Sequence, residues 1–480
     1  MAASAAFPPT AAAEEPGAKD APAAAPLRSM TLEAAIAHAR SQHPELVAAR
    51  ARLAAARADA AVPRAQWLPS VGAVAQLVGT TVNNSTATTL SSPLVDLPRI
   101  GATPVVSAAE PSLVPYPSTL VALGIRQTVF DFGRIGAESA AFDRIADVEG
   151  HRADGARLDV SHGVIQAYYA VLAAREVVRT SERALERARS HRDQAKAATT
   201  TGMRSPIELT RAEADVTRFE LTRVRAEGAL AVARAAFAAA VGVKETELDA
   251  AEPKPADAGG TADAPAAPAA GDAAQKPLPS LRTALERAEA NEPLLKEAGA
   301  RVEASKAVTE AVSAQARPRL FATASISGRG GGADPSNGPA AELGGWVPEV
   351  PNWSVGLVLS WPVFDATVSA RADAARARED AARAELLAAR QRVRTRTQQA
   401  YKEAHVAGEA LAALRSAAAA ATANYAQAEA RFNAGFGSSL ELADAETLRT
   451  QAEIELAIGE FQRSRARAAL DRATVDGEVK

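Results

Sequence analysis

Two stretches of this 480-residue chain, Arg134 to Thr200 and Ala366 to Asn433, run for 67 and 68 residues without a proline. At about 1.5 Å per residue, each would span on the order of 100 Å as a helix. A helix that long cannot bury itself inside a compact domain and needs partners of equal length. On the first, Val164, Tyr168, Val171, Val178 and Leu185 mark a heptad-like seam, interrupted by Arg175 and Glu182. Gly150, Gly155 and Gly163 lie in the same stretch, where each weakens a helix locally and predicts a bend. Composition suits closely packed helices, since 121 residues are alanine, the best helix former.

The long stretches belong to a tandem duplication. Thr31 to Pro69 aligns without a gap to Ser280 to Pro318: Leu32, Ala35, Pro44, Leu46, Arg52, Gln66 and Pro69 recur as Leu281, Ala284, Pro293, Leu295, Arg301, Gln315 and Pro318. Val129-Phe130-Asp131 recurs as Val363-Phe364-Asp365, and Gly202, Ser205 and Ile207-Glu208-Leu209 recur as Gly435, Ser438 and Leu440-Glu441-Leu442. The chain therefore divides into an Ala/Pro-rich arm (1–30), a first repeat (31–250), a Pro/Ala-rich linker (251–279) and a second repeat (280–475). The arm reads as disordered and lacks the basic start and continuous apolar stretch of a secretory signal.

Each repeat reads as helix, strand, loop, strand, long helix, turn, helix: a mostly α fold with a small β part. Strict period-two alternation marks the strands. Val121, Leu123, Ile125, Gln127 and Val129 alternate with Ala122, Gly124, Arg126 and Thr128; Leu320, Ala322, Ala324 and Ile326 do so with Phe321, Thr323 and Ser325. Trp353, Val355, Leu357, Leu359, Trp361 and Val363 repeat the pattern, while Val71 to Gly79 alternates less cleanly. Roughly eleven residues per run is about what a tilted strand needs to cross hydrocarbon. All four tryptophans, Trp67, Trp346, Trp353 and Trp361, fall in or beside the strands, as an aromatic girdle at a membrane interface would require. The Ser/Thr/Pro-rich segment 81–117 and the Gly-rich segment 329–352 read as outward loops.

Both long helices end at a glycine, Gly202 or Gly435, placed for a left-handed stop. Ser205-Pro206-Ile207-Glu208 and Ser438-Ser439-Leu440-Glu441 then read as capping boxes opening the next helices. Asp131 and Asp365, between a strand and a long helix, read as N-caps. A sheet of four strands has two edges that cannot stay unpaired in lipid, so the chain must oligomerise; eight strands from two copies or twelve from three would both close.

A net charge of −3, from 54 basic and 57 acidic residues, leaves no electrostatic footprint for nucleic acid. No cysteine means no disulfide and no thiolate metal site. No run of 18 strongly apolar residues exists, so any membrane crossing must be made by β-strands. The six histidines are scattered without a zinc-like pair, and Asp131-Phe132-Gly133 lacks the partners of a kinase motif. Arg390, Arg392, Arg394 and Arg396 alternate around a helix and are expected to pair within it or between subunits. Nothing points to an enzyme or a cofactor.

Thr31-Leu32-Glu33-Ala34-Ala35-Ile36 with His43-Pro44-Glu45-Leu46, Leu68-Pro69-Ser70, Val129 to Arg134, and Arg431-Phe432 with Gly435, Leu440, Leu442 and Ala445 resemble the TolC family of outer-membrane efflux proteins. The resemblance covers nearly all of residues 30 to 475. It implies a homotrimer in the outer membrane, with a 12-stranded barrel and a helical tunnel across the periplasm. It also implies a periplasmic adaptor and an inner-membrane transporter as partners, in tripartite efflux or type I secretion. By the same resemblance the turns around Gly202, Ser205, Gly435 and Ser438 form the adaptor-facing end, and Glu441 and Asp444 match acidic residues that ring the tunnel entrance. Acids there also suit the helix dipole, by a few tenths of a kcal/mol. Gly437 stands where the TolC branch carries a gating arginine, so a latch would draw on Arg204 or Arg431. A coiled-coil scaffold of the cell envelope is the competing reading; it accounts for the helices and leaves the strands unexplained.

Overall fold

The computed structural model describes residues 28–81, 115–252, 277–331 and 352–475. The first repeat comprises α1 (Leu32–Gln42), α2 (Pro44–Asp59), α3 (Ala61–Ala65), β2 (Ser70–Thr81), β3 (Pro115–Phe130), α4 (Arg134–Thr200) and α5 (Pro206–Val241). The second comprises α6 (Leu281–Asn291), α7 (Pro293–Ser313), β5 (Arg319–Gly331), β6 (Asn352–Ser360), α8 (Ala366–Asn433) and α9 (Ser439–Thr474). Two short strands, β1 (Ser29–Met30) and β4 (Asp249–Ala250), pair in parallel. Ser29 and Met30, read from sequence as the end of a disordered arm, are thus ordered: Met30 is buried in the largest core cluster, and the Asp249 N–H donates to the Arg28 carbonyl at 3.0 Å.

The opening helix of each repeat is split by its proline. Thr31 and Ser280 cap α1 and α6, accepting the N–H groups of Ala34 and Thr283 at 3.3 and 3.1 Å. Pro44 and Pro293 then push His43 and Glu292 into extended backbone (ψ 129° and 121°), ending one helix while occupying the first position of the next. Glu292 is buried and held by Arg472 at 2.9 Å, and Arg472 also meets Asp159 at 2.7 Å, tying α7, α9 and α4 together.

The long helices have the predicted bounds. The glycines of α4 do not interrupt it; Gly150 faces Leu53 and Gly155 faces Pro293, so both sit at helix contacts. The seam Val164, Tyr168, Val171, Val178 and Leu185 is buried throughout. Arg175 does not break it, because its guanidinium turns aside to Asp249 at 2.5 Å. On α8 a second heptad stripe is buried, and it is mostly alanine: Ala372, Ala375, Ala382, Ala389, Ala400, Ala404, Ala418 and Ala421. Arg394 pairs across helices with Glu289 of α6 at 3.0 Å, rather than within α8.

The strands form one antiparallel sheet in the order β2-β3-β5-β6, with β2 and β6 as open edges. They run for 12, 16, 13 and 9 residues, bracketing the expected eleven. The helices follow the same lateral order: α2 packs on α4, α4 on α7 and α7 on α8. Beyond these, α5 packs on α4, and α9 lies between α4 and α8. The short helices α1 and α6 pack over these, α1 on α4 and α5 and α6 on α8 and α9.

Candidate functional site at the helical tips

The sheet has two unlike faces. Cross-strand partners share a face, so Leu123 opposite Ile326 and Ile326 opposite Trp353 fix one side. That side carries Val121, Leu123, Ile125, Val355, Leu357 and Leu359, all exposed. The other side carries Gly124, Arg126, Thr323, Ser325, Ser354 and Gly356. An apolar exposed face opposite a small polar one is the pattern of a barrel wall, lipid outside and lumen inside. Trp353 lies on the apolar side, and Trp361, exposed just past the end of β6, follows eight residues on, about 26 Å of extended chain. At a tilt of about 40° that is about 20 Å of height, close to a hydrocarbon band of about 25 Å. Trp67 is also exposed, just before β2. Trp346 lies outside the described residues, as do the middles of both predicted loops.

At the opposite end each hairpin turns sharply. Gly202 (φ 72°) and Gly435 (φ 80°) take the left-handed conformation the sequence predicts. Met203 donates its N–H to the Ala198 carbonyl at 2.9 Å, and Phe436 does so to Arg431 at 3.0 Å, satisfying the last carbonyls of α4 and α8. Gly437 follows, where an added Cβ would lie 2.9 Å from the Phe432 nitrogen and 3.1 Å from the Arg431 carbonyl carbon. The turn therefore has no room for a side chain at this position unless the backbone shifts.

Ser438 caps α9, accepting the Glu441 N–H at 3.2 Å. The first capping box does not form: Ser205 makes no side-chain cap bond to α5, the Glu208 N–H donates to the Ser205 carbonyl at 3.0 Å instead, and the Glu208 carboxylate turns to Arg204. Arg204 donates to Glu208 at 3.0 Å and to the Phe432 carbonyl at 3.1 Å, with its guanidinium 3.8 Å from the Phe432 ring centroid. One arginine thus joins the start of α5 to the end of α8. Arg431 and Glu441 approach only to 4.0 Å and are half exposed. Asp444 is exposed, and close enough to Asp215 to help burial push that carboxyl above its usual range.

Behind the turns lies a network that the sequence reading missed. Glu446 of α9 is 3% exposed and accepts from Arg187 Nε of α4 at 2.7 Å. Burial holds the Glu446 carboxyl above the usual glutamate range despite Arg187. His191 meets the Tyr425 hydroxyl at 2.9 Å, and Tyr425 donates to Glu429 at 3.1 Å. Charged residues in an Ala-rich helix read as surface, and Arg187, two residues past Leu185, stands off the seam's heptad spacing. Also missed were four exposed apolar side chains at the tip: Met203, Ile207, Phe436 and Leu440, with Phe436 83% exposed. Among the described residues no group is placed to hold a metal ion, and no helix is apolar and long enough to cross a membrane.

A family model described as outer membrane efflux protein matches residues 35–243 and 284–474. Among solved structures, the outer-membrane channel OprN is 21% identical with a TM-score of 0.69, covering 93% of this chain and 90% of that one. The outer membrane protein VceC from Vibrio cholerae is 17% identical with a TM-score of 0.67, covering 92% and 95%. The open state of the Neisseria gonorrhoeae MtrE outer membrane channel is 19% identical with a TM-score of 0.65, covering 92% and 88%. The search of curated proteins finds no significant match.

Proposed function

The chain belongs to the outer membrane efflux protein family, and from that premise we propose that three copies close into a passive exit duct of a tripartite efflux or type I secretion system. The observation that carries the reading is the four-stranded sheet with an apolar exposed face, a polar face and two open edges, continuous with hairpins about 100 Å long. Three such sheets would pair β6 of each protomer with β2 of the next and leave no edge in lipid. Trp67, Trp346, Trp353 and Trp361 would mark the membrane interfaces. A scaffold has no use for the exposed apolar face.

The tips would meet the periplasmic adaptor. Gly202, Ser205, Gly435 and Ser438 shape the turns, and Met203 and Phe436 offer apolar contact on them. Glu441 and Asp444 would ring the tunnel entrance. Arg204 would act as the latch, since it ties α5 to α8 and opening requires neighbouring hairpins to splay. Arg431, with its longer approach to Glu441, would contribute less. The inner-membrane transporter would supply the energy.

Reconstitution in planar bilayers tests this. The purified protein is expected to conduct, and Arg204→Ala to raise the open fraction several-fold. Release from membranes by a carbonate wash, with no conductance from either protein, would reject the reading.

A further inference from the structure

A cavity of about 540 Å³ lies where strands give way to helices, bordered by α4, α7, the start of β5 and the start of α8. Its charges are unbalanced. Arg134, Arg319 and Arg371 line it, against Glu138 and Asp365. Both carboxylates are committed: Glu138 accepts from Arg134 and Gln66 at 3.0 and 3.1 Å, and Asp365 caps α8 through the Thr367 N–H at 2.8 Å. Arg319 and Arg371 make no hydrogen bond or ion pair among the described residues. The Nε atoms of Arg134 and Arg319 are buried without a hydrogen-bond partner. Arg126 and Arg319 both approach the Phe321 ring, at 3.9 and 5.7 Å from its centroid, and Arg126 and Arg134 act on Arg319 electrostatically.

Guanidinium groups gathered this closely repel one another, and an unpaired buried donor leaves a solvation deficit. An anion relieves both, since the planar fork of arginine matches carboxylate, phosphate and sulfate oxygens. The volume falls within the usual range for a small-molecule site. The register of β5 decides which side the cavity serves. Arg319, Phe321 and Thr323 share one face, Thr323 is opposite Arg126, and Ile326 and Trp353 are on the other. Arg319 therefore belongs with Arg126 to the polar, lumen side, and Arg134 and Arg371 line the same cavity.

We propose that this cavity binds an anionic group, phosphate, sulfate or carboxylate, on a solute in transit where the tunnel meets the barrel. The proposal rests on the channel reading above and adds a substrate class to it: three such sites would favour anionic cargo.

Inorganic pyrophosphate is the probe, applied to the full-length protein in detergent and in bilayers. It is expected to raise the thermal dissociation midpoint beyond what sodium chloride of equal ionic strength does, and to block conductance from the loop side. Arg319→Gln with Arg371→Gln should weaken both effects by about tenfold or more. Should the double variant fail to assemble, Arg371→Gln alone, on an exposed position of α8, serves. An equal response of wild type and variant, or none beyond chloride, overturns the site. Protection by phosphatidylglycerol, lost in the variant and with no response to pyrophosphate, assigns the arginines to a lipid headgroup and overturns the solute site. If nothing conducts, the channel reading fails, and the thermal arm still decides whether the anion binds.

Discussion

Glu446 condenses the chemistry of the tip into one side chain. It is buried, its Oε2 has no hydrogen-bond partner, and Arg187 reaches only the other oxygen. Because burial raises its folded carboxyl above the unfolded value, the folded state binds the proton more tightly. Stability from this residue is therefore fully present below the ordinary glutamate value of about 4.3 and declines as pH rises through the raised folded value. The thermal midpoint of the detergent-solubilised protein should fall as pH rises over that interval. Glu446→Gln should flatten the slope, and an unchanged slope would show that the pH dependence lies elsewhere. The tip thus holds a buried carboxyl that favours protonation.

Among the elements, the helices were legible where side-chain chemistry is decisive and illegible where it is uniform. Proline-free length gave α4 and α8 their bounds, and bulky residues marked the α4 seam. The α8 seam stayed hidden because alanine occupies both its buried and exposed faces, leaving no contrast for a periodic pattern. Two-residue strands such as β1 and β4 carry no period at all, and Arg187 with Glu446 looked like solvated charge. The repeat alignment placed both left-handed glycines, yet could not foresee that the Ser205 side chain would leave α5 uncapped while the Glu208 carboxylate pairs with Arg204. Glycines also differ by element. Gly437→Ala must shift the backbone of Arg431 and Phe432 and should lower the thermal midpoint. Gly163→Ala, in mid-helix with nothing within 4 Å of the added carbon, should be neutral or stabilising by about 0.5–1 kcal/mol. Equal losses in both would argue against the close turn at Gly437.

For the whole molecule, the two faces of the sheet make opposite demands. Leu357, in the middle of β6 on the apolar side, is 70% exposed, and its neighbour Val358 is on the polar side. Arginine at a lipid-facing midplane position costs about 2–4 kcal/mol, whereas lumen positions tolerate it. Leu357→Arg should therefore reduce insertion into vesicles, and Val358→Arg should insert normally. The reverse order would turn the sheet inside out.

The shared lateral order of strands and helices carries a geometric consequence. Neighbouring strands are about 4.8 Å apart, while packed helices are 8–10 Å apart. Four strands and the four helices continuing them, β2-β3-β5-β6 and α2-α4-α7-α8, therefore cannot have the same width. The wall must fan out where one becomes the other, by nearly a factor of two. Wedge-shaped space at that line is a requirement of the change in pitch, and its contents are open to selection without disturbing strand or helix packing. The arginine-lined cavity occupies such a wedge, and relatives built on the same fan would be free to fill it with other chemistry.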